Sequence, residues 1–171
     1  MDRILQLLHL AETANAPLPW LIFARRLVSA TVILAKHTGP ARTNTDVRNV
    51  ASMCMGMALE CYLKAYYVSR GGILHDGKRF KTLGGHRLVD IAKAVGFAVT
   101  PEQERVLHYL SMWVHTKGRY PVPLNPEAMA VHPADSKGPD QFFLHWDERS
   151  EDVCMELVKL AEARIAEGRA V

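Results

Sequence analysis

The chain has 171 residues, of which 49% are hydrophobic and 23% are charged, and its formal net charge is +3. This composition is typical of a globular protein and excludes wholesale disorder, and the length suits one domain. We identify no apolar run of the roughly 18 residues that a membrane-spanning helix needs. The N-terminus also lacks the basic start and clean apolar stretch of a signal peptide. These features predict a cytoplasmic protein with no membrane partner.

Apolar residues recur at three- and four-residue spacing along most of the chain, which is typical of helices packed on one face. The first predicted helix is short, and the other five belong to the core, residues 18–167. We predict an all-α, up-and-down helical bundle of about five core helices plus this N-terminal helix, all in one domain spanning residues 1–171. In chain order, the predicted helices cover residues 2–14, 18–36, 44–70, 86–95, 100–117 and 150–167.

The predicted central helix contains a nearly uncharged stretch, residues 53–68, in which Glu60 and Lys64 are the only charged residues. A helix that is apolar on most of its circumference has to be buried against several neighbours. Glu60 and Lys64 are four residues apart and therefore share a face. Two interpretations stay open: a simple pair within the helix, or a polar pair that faces a cleft or a subunit boundary.

Two features mark the second half of the chain. Thr100, Pro101 and Gln103 combine an N-cap, a first-position proline and a capping-box residue, which is the clearest helix start in the sequence. Residues 118–148 contain five of the nine prolines and have no helical period. We therefore predict a long irregular loop there, because a connection of that length inside a compact domain tends to be functional or mobile.

The positive charge is concentrated in one glycine-rich segment, residues 70–87, which we call the basic segment. It carries five basic residues and one acidic residue, a net +4, so the other 153 residues sum to −1. Cations and closely approaching backbone amides suit phosphate binding, although a solvated connector has the same composition. The basic residues are Arg70, Lys78, Arg79, Lys81 and Arg87, and the acidic one is Asp76.

Neither cysteines nor histidines form a recognisable metal motif. Cys54 and Cys61 are about 10 Å apart along one helix, beyond disulfide reach, and Cys154 has no second cysteine nearby. His108, Ser111 and His115 share a helix face without a carboxylate, so we assign them to the surface or to a dimer seam. We therefore predict no metal site and no cofactor.

Three short motifs follow one another along the chain. They are Ala58-Leu59-Glu60 with Lys64, Gly85-His86 with Leu88, and Arg119-Tyr120-Pro121. In this order, over residues 18–167, they resemble the HEPN domains (higher eukaryotes and prokaryotes nucleotide-binding). The resemblance implies a bundle of about five helices that forms a homodimer and belongs to a toxin–antitoxin, defence or nucleotidyltransferase-linked system. Their position predicts that Arg119 and Tyr120 anchor the start of the long loop, whereas the resemblance implies that they face the same cleft as Glu60 and Lys64, where a nucleotide would bind.

Many HEPN domains are metal-independent endoribonucleases with an arginine and a following histidine on a late helix. Here that helix offers only Arg105 and His108, three residues apart. Arginine followed by histidine occurs instead in the basic segment, as Arg70 with His75 and Arg79 with His86. In such a pair the histidine would take the 2′-hydroxyl proton while the arginine stabilises the phosphate.

Three functions follow as hypotheses. The first is a binding or regulatory module that holds nucleotide or RNA phosphate with the basic segment and lacks the complete catalytic motif. The second is an active endoribonuclease of toxin or defence type that uses Arg70 and His75, or Arg79 and His86. The third is a structural bundle whose basic segment meets an acidic protein partner.

Overall fold

The computed structural model describes residues 3–36, 45–114 and 148–168. Within these ranges the chain is helical apart from its turns and one isolated bridge between His75 and Phe80. The prediction of an all-α bundle is therefore confirmed. Most of the predicted loop at 118–148 and the predicted end of the fifth helix at residue 117 lie outside the described residues. The helices are α1 (Arg3–Ala14), α2 (Pro17–Lys36), α3 (Thr45–Ser69), α4 (Leu88–Ala94), α5 (Pro101–Met112) and α6 (Glu148–Gly168).

The longest helix, α3, is the centre of the bundle and contacts α2, α4, α5 and α6. Its second half is buried on nearly all sides, as the sequence predicts for a helix without a polar face. The first half differs, since Val50 is 43% exposed and Cys54 only partly buried. Residues of α3 that form the core include Met55, Ala58, Leu59, Tyr62, Leu63, Ala65 and Tyr66.

Side-chain contacts show the directions in which α2 and α6 run relative to α3. Trp20 lies beside Lys64, and the Thr31 hydroxyl lies 3.4 Å from the carbonyl oxygen of Ala51, so α2 is antiparallel to α3. By contrast, α6 runs in the same direction as α3. The Tyr62 hydroxyl donates to the Glu162 carboxylate at 3.0 Å, and Gly168 lies beside Ser69. Burial, assisted by that carboxylate, raises the pKa of Tyr62 to about 12.

The ends of α4 and α5 are held by hydroxyl groups. Thr100 and Gln103 form the predicted capping box at the start of α5. The short helix α4 begins at Leu88, two residues later than predicted, because Arg87 is extended and serves as the N-cap. The Leu88 N–H donates to the Ser111 hydroxyl at 2.8 Å. Ser111 is thus a buried residue that joins α5 to α4, which corrects its assignment to the surface.

Helix α2 is long and apolar enough to cross a membrane by length and composition alone, although Arg25 and Arg26 interrupt its apolar run. The most apolar 18-residue stretch of this 20-residue helix has a mean hydropathy of 1.5, and little of that stretch is buried. One such helix is weak evidence for a membrane span, since core helices and signal sequences meet the same criterion. Much of its outer surface is nevertheless apolar. Its exposed large apolar side chains are Leu18, Ile22, Phe23, Val32 and Ile33, and its exposed polar ones are Arg25, Arg26, Ser29 and Lys36.

Close packing of α3 on α5 leads to a stability prediction for Gly56. A Cβ atom at this position would lie 2.4 Å from the Val114 side chain and 3.2 Å from the Leu110 carbonyl oxygen. In an open helix, glycine to alanine stabilises by roughly 0.5–1 kcal/mol. Here we expect Gly56→Ala to lower the free energy of unfolding by about 1–3 kcal/mol, because overpacking outweighs the helix propensity. Urea denaturation measures the difference.

The matched control is the same substitution in a Val114→Ala background, where the closest clash is absent. In that background Gly56→Ala should lower the free energy of unfolding by much less. An unfolding free energy for Gly56→Ala equal to or above that of the wild type would contradict the close contact between α3 and α5.

Candidate functional site

The basic segment starts at a sharp end to α3. Gly71 has a φ of +79°, and its N–H bonds to the Val68 carbonyl at 3.1 Å. The Gly72 N–H bonds to the Tyr67 carbonyl at 3.0 Å. Glycine adopts this left-handed conformation without a Cβ clash, so α3 ends at Ser69, one residue before the predicted end at residue 70.

Asn15, between α1 and α2, fixes the first part of the basic segment. Its side-chain oxygen accepts hydrogen bonds from the Leu74 and His75 N–H groups at 2.8 and 3.0 Å. Its side-chain nitrogen donates to the His75 carbonyl at 2.8 Å. The side chain therefore pairs with this backbone much as a neighbouring strand would. Sequence reasoning identified only a helix break at Asn15, and nothing in its local pattern indicates a partner sixty residues away.

Residues 75–80 then form a tight, internally bonded turn. The Asp76 carboxylate accepts the N–H groups of Lys78 and Arg79, each at 2.8 Å. These bonds, the one from Arg79 first, lower the pKa of the Asp76 carboxyl below its usual value. The Gly77 N–H donates to the ring Nδ1 of His75 at 3.0 Å. The turn is therefore preorganised by its own hydrogen bonds.

A groove of about 430 Å³ opens beside this turn. Two cations and an aromatic ring line it and are open to solvent: the Arg79 side chain is 87% exposed and Phe80 is 49% exposed. The Lys81 ammonium lies 2.7 Å from the Tyr67 hydroxyl and 5.1 Å above its ring, which orients this charge. The lining residues are Ile73, Asp76, Arg79, Phe80, Lys81 and Thr82.

A second polar cluster, formed by Glu60, Lys64 and His86, holds the other end of the basic segment. Glu60 is only 6% exposed, yet it contacts the Lys64 ammonium at 2.6 Å and the His86 Nδ1 at 3.0 Å. The Lys64 ammonium also lies 5.0 Å above the Trp20 ring. The predicted pair within α3 exists, and the structure adds His86 to it. A buried carboxylate is stable only with such partners.

The remaining predicted site residues are dispersed. His75 is 3% exposed with its ring edge-on to Phe80, so a substrate could reach it only if the turn opened. Arg70 is exposed and lies over the Tyr66 ring at 5.9 Å. Arg87 pairs with Asp90 at 2.8 Å. The candidate ligands Arg119 and Tyr120 lie outside the described residues, as does His115.

Sequence reasoning missed the contribution of Phe80 and Ile73. It selected the basic residues by charge, whereas these two apolar residues line the same groove and are about half exposed. An aromatic residue between Arg79 and Lys81 was the available signal, because stacking surfaces and cations occur together in nucleotide sites. Within the described residues, no group of three or more His, Cys, Asp or Glu side chains could hold a metal ion.

Comparisons of the chain with protein-family models, with curated proteins and with solved structures find no match. The resemblance to HEPN domains thus stays a prediction from the short motifs in the sequence. The chemistry of the groove and of the Glu60 cluster supplies the basis for a functional proposal.

The Glu60 cluster leads to a prediction about stability. Glu60→Gln keeps the shape of the side chain but leaves Lys64, which is 23% exposed, without its counter-charge. We expect the free energy of unfolding to fall by about 2–3 kcal/mol. This is near the lower limit for breaking a buried ion pair, because solvent reaches the cluster at His86, whose side chain is 40% exposed. Urea denaturation at neutral pH measures this loss.

Lys64→Met provides the partner variant for a double-mutant cycle. If the buried charge causes the loss, Glu60→Gln should cost at least 1 kcal/mol less in the Lys64→Met background. Equal costs in both backgrounds would show that Glu60 and Lys64 do not interact energetically.

Proposed function

We propose that the protein is a HEPN-like regulatory module that binds the phosphate groups of a nucleotide or of RNA through the basic segment. The observation that carries this proposal is the groove that Arg79, Phe80 and Lys81 line together. Its volume lies within the roughly 300–1,000 Å³ that is usual for small-ligand sites. The resemblance to HEPN domains adds the setting, a toxin–antitoxin or defence type of system.

The way the segment is held supports binding. Asn15 fixes its start and Glu60 contacts His86 near its end, so the intervening turn is presented on a rigid base. A preorganised site loses less conformational entropy when a ligand binds. Arg70 and Lys78, both exposed, extend the positive potential beyond the groove, which favours a polyanion.

An endoribonuclease is the second candidate, and one observation favours its Arg79 and His86 version over the pair of Arg70 and His75. His86 is partly exposed and its Nδ1 contacts a buried carboxylate, an arrangement that orients an imidazole for proton transfer. His75 instead uses Nδ1 inside the turn and is almost fully buried. A cleavage test should therefore centre on His86.

The proposal predicts salt-dependent binding of short single-stranded RNA that depends on the groove. Arg79→Ala and Lys81→Ala should each weaken binding and make the slope of log affinity against log salt shallower by about 0.7, because each removes one phosphate contact. Fluorescence anisotropy of labelled RNA over a salt series measures both effects. Lys159→Ala, at an exposed position of α6, removes the same charge elsewhere and should leave the slope unchanged.

The same samples, incubated without added metal and resolved on a gel, test the second candidate. Cleavage that His86→Ala abolishes would make the protein a ribonuclease. If the wild type shows no salt-sensitive binding of RNA or of free nucleotide, or if Lys159→Ala acts like Arg79→Ala, the groove is not a phosphate site.

We also propose that the protein acts as a homodimer, in which the outer face of α2 meets the same face of a second copy. The face carries five exposed large apolar residues interspersed with the exposed Arg25, Arg26 and Ser29, and the nearby Val50 of α3 is exposed as well. Apolar surface of this kind marks contact sites on soluble proteins. A two-fold axis would pair each face with itself, which is the commonest arrangement in homo-oligomers.

Dimer formation should depend on α2. We expect Phe23→Glu and Ile33→Glu to shift the protein from dimer to monomer in size-exclusion chromatography with light scattering, because each buries a charge at the contact. Ala166→Glu, at an exposed position of α6, should leave the mass unchanged. A wild-type mass of one chain would contradict the proposal, and co-sedimentation of that monomer with anionic vesicles would assign the face to lipid instead.

A further inference from the structure

The groove contains more than an anion site needs. Phe80 lies between the two groove cations in sequence and keeps 49% of its surface exposed, and Ile73 keeps 58%. Neither side chain can attract a phosphate. Exposed apolar surface beside cations suits a ligand that has a flat apolar part next to its charge.

The Phe80 ring is held in place before any ligand arrives. Its ring centroid lies 4.8 Å from that of His75, with the two planes 83° apart. The backbone on either side is fixed as well, because the Lys81 N–H donates to the Leu74 carbonyl at 2.7 Å and His75 pairs with Asn15. A ring with a fixed orientation makes a stacking platform without the entropy loss of ordering it.

Asp76 argues against a ligand that is phosphate alone. Its carboxylate lines the groove, and one of its oxygens lies 3.9 Å from the Arg79 guanidinium nitrogen. A negative charge in the groove opposes a bare polyphosphate. A carboxylate does, however, accept hydrogen bonds from sugar hydroxyls or from the exocyclic amine of a base.

We infer that the groove binds one unpaired nucleotide, with the base stacked on Phe80 and its phosphate between Arg79 and Lys81. The inference rests on the proposed phosphate-binding function and narrows its ligand to a nucleoside phosphate, whether free or within single-stranded RNA. Bases in a duplex are stacked on one another, so duplex RNA would offer only its backbone to the groove.

The test compares two labelled probes of equal length and charge with the full chain, at one salt concentration. One probe is single-stranded oligoadenylate, and the other is the same backbone with abasic sites. Wild type should bind oligoadenylate roughly 5- to 100-fold more tightly than the abasic strand, since stacking adds to the phosphate contacts. Phe80→Ala and Phe80→Leu should remove this preference, whereas Arg79→Ala should weaken both probes and keep it.

Phe80→Trp supplies a readout that is independent of affinity. Stacking of a base on the new indole should quench its fluorescence, relative to wild type, with oligoadenylate but not with the abasic strand. Thermal unfolding of each variant, compared with wild type, tests whether the chain still folds, and unchanged backbone amide chemical shifts of residues 73–79 test whether the turn is kept. Competition by adenosine triphosphate but not by inorganic tripolyphosphate would identify a free nucleotide as the ligand. Competition by unlabelled oligoadenylate alone would identify single-stranded RNA as the ligand.

Equal wild-type affinity for the two strands would overturn the stacking inference and leave phosphate binding intact. The same holds if Phe80→Ala weakens both probes by the same factor. If neither strand, nor adenosine triphosphate, binds in a salt-dependent way, the proposed function fails, and the nucleotide inference fails with it.

Discussion

Burial of α3 is the constraint on which the rest of the structure depends. Because the second half of this helix is apolar nearly all round, α2, α4, α5 and α6 have to pack against it. Glu60 is the one buried acid on that half, and a carboxylate in such surroundings needs opposite charge and hydrogen bonds. Lys64 supplies one partner from the next turn, and His86 supplies the other from the far end of the basic segment. Satisfying one charge in the core thereby fixes where the basic segment ends.

The same reasoning links the core to the candidate ligand site. Between its contacts with Asn15 and Glu60, the basic segment bonds its backbone N–H groups locally, because each needs a hydrogen-bond partner. These groups donate to the Asp76 carboxylate and to the His75 ring. The basic side chains of the segment, including Lys78 and Arg79 of the turn itself, face solvent together with Phe80. The proposed binding site therefore lies on a loop that a rigid scaffold supports, which is where binding sites commonly occur. The Glu60 cluster acts as a support for that loop, and it becomes a site of chemistry only if His86 proves to transfer a proton.

Sequence patterns predicted the fold well because the signals are local. Periodicity identified the six helices that the described part of the chain contains, and Thr100 with Gln103 located the start of α5 correctly. The spacing of Glu60 and Lys64 predicted their pair, but His86 joins it from 26 residues away, a contact set by packing. The Asn15 clamp and the role of Ser111 at α4 are equally non-local, and a polar side chain carries no sign of its distant partner. The sequence also could not predict that α2 is exposed, because the pattern shows that a helix has an apolar face but not whether another element covers that face.

The most direct test of the central claim is a map of backbone amide chemical shifts while isotope-labelled protein is titrated with a short single-stranded RNA. Binding in the groove should perturb residues 73–82 first and most strongly, with α2 and the buried half of α3 nearly unaffected. Saturable shifts centred on α2, or around Glu60 and His86 with the groove unchanged, would contradict a phosphate site in the basic segment. In that case the excess positive charge would belong to a solvated connector.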